Sequence, residues 1–103
     1  MDEVDRDARD QPFVMPIMDV FNVKGRGIAV AGQVQQGIAR RGDEVEIGHI
    51  GKPLIKTTIT GFVIFGAVDW VQKGDNIGIT LSEVKAGEIE SGMIMASPGF
   101  LSS

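Results

Sequence analysis

Few side chains in this sequence are equipped for catalysis. His49 is the single histidine, at the end of a strand-like segment and just before Gly51-Lys52-Pro53. One imidazole cannot build a histidine metal site alone. Ser82, Ser91, Ser97, Ser102 and Ser103 crowd the C-terminal part without a nucleophile-elbow pattern. Asp43, Glu44 and Glu46 lie at a turn and on the outward positions of a strand, where carboxylates are solvated charge. Gly25-Arg26-Gly27 suggests a phosphate loop, but it lacks the spacing and the Lys-Ser/Thr of a nucleotide-binding loop. No helix follows to offer its N-terminus to phosphate. The reading is therefore a β-turn, with no GTP binding or hydrolysis by this chain alone. No catalytic set, no metal site and no cofactor are expected.

The remaining candidates are for recognition. Lys24 pairs with Arg26 and Arg40 with Arg41 at two turns. Such pairs either solubilise loops or, if the turns meet at one end of the fold, form a small positive patch for RNA backbone or an acidic protein surface. Trp70 is the single tryptophan. It either plugs one end of the fold or, if exposed, anchors a partner.

The elements that would position these residues are β-strands. In the stretch from Asp19 to Ile47, Ile28, Val30 and Val34 alternate with Ala29, Ala31, Gln33 and Gln35, and Val45 and Ile47 alternate with Glu44 and Glu46. Period-two alternation buries one face and exposes the other. Phe13 to Pro16, held between Pro12 and Pro16, reads as an edge segment. Strands are predicted over 17–23, 26–37, 43–50, 54–65, 76–81 and 93–96. Residues 66–73 are read as a connection and 85–89 as one helical turn, which Gly87 and Gly92 keep short. Short strands with glycine-rich turns predict a sandwich or small barrel. Closure is favoured because it removes exposed edges.

Composition narrows the class. A chain of 103 residues with 43% apolar content makes one domain with one core. There is no cysteine, hence no disulfide framework or thiolate chemistry. No apolar run reaches the ~18 residues of a membrane span. The net charge is −4, and Asp2, Glu3, Asp5, Asp7 and Asp10 against Arg6 and Arg9 account for most of it. That balance disfavours nucleic-acid binding by bulk electrostatics. Residues 1–11 read as a flexible acidic tail, and Met1 as a true start; the folded domain is expected over 12–99, with 100–103 frayed. The polar N-terminus is the reverse of a secretory signal, and a cytoplasmic location is expected.

Several segments recur in a recognisable order: Pro16-Ile17-Met18-Asp19-Val20-Phe21, Gly25-Arg26-Gly27, Gly32-Gln33-Val34, Gly37, Gly42-Asp43-Glu44-Val45-Glu46-Ile47, Thr60-Gly61, Gly74-Asp75-Asn76-Ile77-Gly78 and Glu88-Ile89-Glu90-Ser91-Gly92-Met93. Across residues 12–99 the sequence resembles domain 2 of elongation factor Tu and related translational GTPases. The resemblance implies an all-β fold, a small closed six-stranded β-barrel with Greek-key-like connections. It also implies a docking module that touches a GTPase domain, ribosomal RNA and the aminoacylated end of tRNA. The aminoacyl–adenosine pocket would use the strand of Asp19 and Phe21, the strand after Gly25-Arg26-Gly27, the strand after Thr60-Gly61, and the loop at Asn76.

This chain departs from that pattern at the pocket. Met18 replaces an acid, Ala31 a threonine, Val63 a glutamate and Gly66 a basic residue, whereas Phe65 stays within family range. Each lost buried hydrogen bond would cost about 1–3 kcal/mol, which weighs against tRNA as the partner. The expectation is a non-catalytic binding module that docks on the ribosome, tRNA or a GTPase domain encoded elsewhere. Its contact surface would be Met18, Asp19, Phe21, Val63, Phe65 and Asn76, with Arg26, Arg40 and Arg41 as the charged element. The alternative is a structural barrel, unrelated to translation, that oligomerises through the apolar patch.

Overall fold

The computed structural model describes residues 11–63 and 70–102. The acidic tail over 1–10 and the candidate contact residue Phe65 lie outside the described residues. Among those described there are nine strands: β1 (Val14–Pro16), β2 (Asp19–Val23), β3 (Gly27–Gln33), β4 (Ile38–Arg40), β5 (Glu44–His49), β6 (Lys52–Val63), β7 (Trp70–Gln72), β8 (Asn76–Leu81) and β9 (Ile94–Ala96). One 3-10 turn, Ala86–Glu88, occupies the segment where a single helical turn is predicted.

The all-β expectation holds, but the closed six-stranded barrel does not. Seven strands form one sheet in the order β1-β9-β5-β6-β8-β3-β2, and β4 pairs with β7 in a separate two-stranded sheet. All the ladders are antiparallel. The sheet has two ends, β1 and β2, that no ladder joins. Pro16 ends β1 without an N–H to donate, and the chain turns at Ile17-Met18 before resuming as β2. No ladder closes the gap, but Val14 bonds the backbone of Gln35 and Gln36, and the Met18 N–H donates to the Ala31 carbonyl at 2.8 Å. The strand count rises because Ile38–Arg40 and Trp70–Gln72, read as turn and connection, are short strands.

The inner faces follow the predicted alternation. Ile28 and Val30 of β3, Val45 and Ile47 of β5, Ile59 and Phe62 of β6, and Ile77, Ile79 and Leu81 of β8 form the core with Met15 and Met95. Ala39 and Val71 are the inward residues of the small sheet, and both are buried. Gly32 lies where β1 crosses β3, and a Cβ there would collide with the Pro16 carbonyl oxygen. The predicted turn glycines Gly25, Gly27, Gly42 and Gly74 all take positive φ, between 80° and 96°.

Two irregularities shape the long hairpin of β5 and β6. Its register shifts between Ile47 and Gly48. Further along β6, Ile59 pairs with Leu81 but Gly61 with Thr80, so Thr60 is an extra residue in a bulge. The Thr60 and Thr80 hydroxyls bond each other at 2.9 Å across it.

The chain folds back on itself near Leu101. Leu101 is fully buried and its carbonyl accepts from the Gly51 N–H, which ties the chain end to the tip of the β5–β6 hairpin. Burial of one aliphatic side chain outweighs the freedom of a short terminal segment. Leu101→Ala is therefore expected to destabilise the domain by about 2–5 kcal/mol, read as a lower urea midpoint with an unchanged m-value. A change below about 0.5 kcal/mol would mean the segment frays in solution.

Candidate binding surface

The core residues of β3, β8 and β6 point inward, so the residues between them form a second, outward face. Its rows follow from the ladders. Phe21 lies opposite Ala29, Ala29 opposite Thr80, and Thr80 opposite Gly61. In the next row Asp19 lies opposite Ala31, Ala31 opposite Gly78, and Gly78 opposite Val63. Gln33 and Asn76 form the third pair. The middle of this face is made of small residues and its margins of larger ones, so the surface is concave.

A hollow of about 450 Å³ occupies that concavity, lined by Met18, Asp19, Ala31, Gly32, Val63, Asn76, Ile77 and Gly78. Four of the residues named from sequence, Met18, Asp19, Val63 and Asn76, thus meet in one place. Phe21 borders it. A Cβ on Gly78 would lie 3.1 Å from the Val63 Cβ and 3.4 Å from the Phe21 ring, so glycine keeps the floor open between these two side chains. Met18 is 71% exposed and Phe21 36%. Asp19 is the one charged residue of the lining, and its Oδ1 accepts from the Val20 N–H at 2.9 Å.

The arginines do not join the hollow. Arg26 leaves the β2–β3 turn and crosses to β6, where its Nη2 donates to the Phe62 carbonyl at 3.3 Å. A Cβ on Gly61 would lie only 2.8 Å from that nitrogen. The guanidinium therefore rests on the bare backbone of Gly61. Arg40 lies opposite Trp70 on the small sheet, and both are exposed. Arg41 begins the following turn, whose Gly42 N–H donates to the Ile59 carbonyl at 2.8 Å. The two basic turns thus approach the same stretch of β6, but from different sides of the hollow's own lining.

A second hollow, about 360 Å³, is lined by Phe13, Ala39, Gly42, Asp43, Glu44, Val45, Ser97 and Pro98. Its polar groups serve the fold: the Ser97 hydroxyl accepts from the Phe13 N–H at 2.8 Å, and Asp43 Oδ2 from the Arg40 N–H at 2.9 Å. Among the described residues no three His, Cys, Asp or Glu side chains are grouped to hold a metal, and no helix is long and apolar enough to cross a membrane.

Gly32, Ile77 and Gly78 line the hollow although the sequence placed them in motifs and not in the contact surface. The signal that could have found their surroundings is the run of small residues, Ala29, Ala31 and Gly78, at the outward positions of otherwise β-branched strands.

Strands folded around one core, with a concave outward face, define an all-β domain. Residues 27–96, more than half of the chain, match the family described as elongation factor Tu domain 2, and the chain belongs to that family. The matched part spans β3 to β9. Asp19 and Phe21 precede it and reach the face through the pairing of β2 with β3.

The Arg26 bond is testable by a double-mutant cycle. Arg26→Ala and Gly61→Ala should each lower stability by about 0.5–1.5 kcal/mol, since one removes the guanidinium and the other displaces it. The double variant should lose less than the sum of the two. Strict additivity in urea unfolding would show that the two residues act independently.

Proposed function

We propose that this chain is a non-catalytic binding module that docks through the outward face of β2, β3, β8 and β6 on the ribosome or on a GTPase domain. The observation that carries this reading is the hollow itself: Met18, Asp19, Val63 and Asn76 are distant in sequence yet line one cavity. Family membership supports a role beside other translation components. Exposed Met18 and Phe21 supply apolar area of the kind that anchors interfaces. Aminoacyl-tRNA is the less favoured partner, because Met18 and Val63 line the hollow where the resemblance places acids that would meet the tRNA end.

Co-sedimentation with isolated small ribosomal subunits, and a parallel titration against a translational GTPase domain, test the proposal. Binding to one of the two is expected, and Phe21→Ala or Val63→Glu should weaken it by about 2 kcal/mol or more. Filter retention of aminoacyl-tRNA should stay at background. Binding to neither component, or self-association that these substitutions abolish, would instead support an oligomerising domain.

A further inference from the structure

The lining of the hollow also says what chemistry it accepts. On the reading that this face docks, we propose that the hollow receives one apolar side chain from a partner protein segment, with a neighbouring lysine or arginine of that segment reaching Asp19. The floor is backbone and small side chains, Ala31, Gly32 and Gly78, over the buried Ile77. The walls are Met18 and Val63, so a side chain entering from solvent meets hydrocarbon on most sides. The volume of about 450 Å³ is in the range of small ligand sites.

Charge decides between a protein and a nucleic acid. Phosphate recognition needs clustered lysine and arginine. Among the described residues this lining holds one carboxylate and no cation. Arg26, the cation of the turn between β2 and β3, reaches the Phe62 carbonyl instead and does not line the hollow. A phosphate would therefore meet Asp19 without compensation, whereas a basic side chain would gain from it. Asn76, exposed at the rim, adds a carboxamide that can both donate to and accept from the backbone of an extended segment.

Amide NMR titration of the intact chain tests this with defined probes: N-acetyl-Lys-Leu amide, N-acetyl-Glu-Leu amide, N-acetyl-Lys-Ser amide and the trinucleotide CCA. The Lys-Leu probe is expected to shift the amides of Ala31, Gly32 and Gly78. Exchange of leucine for serine should weaken binding about tenfold, from the lost apolar burial. Exchange of lysine for glutamate should weaken it about fivefold, the scale of one exposed ion pair. Asp19→Lys, checked for an unchanged spectral dispersion, should reverse the Lys/Glu preference. Equal binding of the Lys-Leu and Glu-Leu probes, absence of peptide shifts at these amides, or tighter binding of the trinucleotide would overturn the proposal. Docking on the ribosome or GTPase domain that survives Asp19→Lys and Val63→Glu would overturn this proposal's role for the hollow while leaving docking by the chain intact.

Discussion

Ile79 lies where two ladders meet, opposite Val30 on β3 and Phe62 on β6, and it is wholly buried. The registers of these two ladders are the constraint on which both faces of the sheet depend. A slip of one residue would turn Ile77, Ile79 and Leu81 outward and bring Gly78 and Thr80 into the core. Each aliphatic side chain so exposed forfeits about 1.5–3 kcal/mol, and Thr80 would lose the hydroxyl contact with Thr60. The same registers compose the outward rows, so the apolar core and the hollow are set by one choice of pairing. Recognition on this domain is thereby tied to its stability: no substitution on β8 can address one face without proximity to the other.

The outward face also separates its functions by charge. Arg26 is held on the backbone beside Gly61, Arg40 faces Trp70 on the small sheet, and the hollow is left with Asp19 alone. The long side chain of Arg26 acts here as a strut between the β2–β3 turn and β6, where its Nη2 donates to a carbonyl oxygen.

The longer strands were legible because alternation over four or more residues matches a half-buried strand and does not match the 3.6-residue period of a helix. Ile28 to Val34, Glu44 to Ile47 and Asn76 to Leu81 each show it, and each forms a strand or the greater part of one. The strands β4 and β7 were not legible, because Ala39 and Val71 are the single inward residue of each and three residues carry no period. Burial of Leu101 was equally hidden: its partner Gly51 is at a distant hairpin tip, and nothing local marks a terminal leucine as anchored. Met18, Asp19, Val63 and Asn76 could be named together from family motifs, but their convergence rests on cross-strand register. The positions of Arg26 and Arg40 rest on tertiary contacts that turn sequences do not encode.

The bulge at Thr60 works as a phase reset. Up to it, the odd-numbered residues of β6, Thr57 and Ile59, face inward; beyond it the even-numbered Phe62 does. The single extra residue therefore delivers Gly61 and Val63 to the outward side, the first as bare backbone under Arg26 and the second as a wall of the hollow. With an uninterrupted strand the benzyl group of Phe62 would fill the concavity and valine would enter the core. Whether this face is hollow or filled is thus decided by one residue of chain length, which selects whether Val63 or Phe62 points outward.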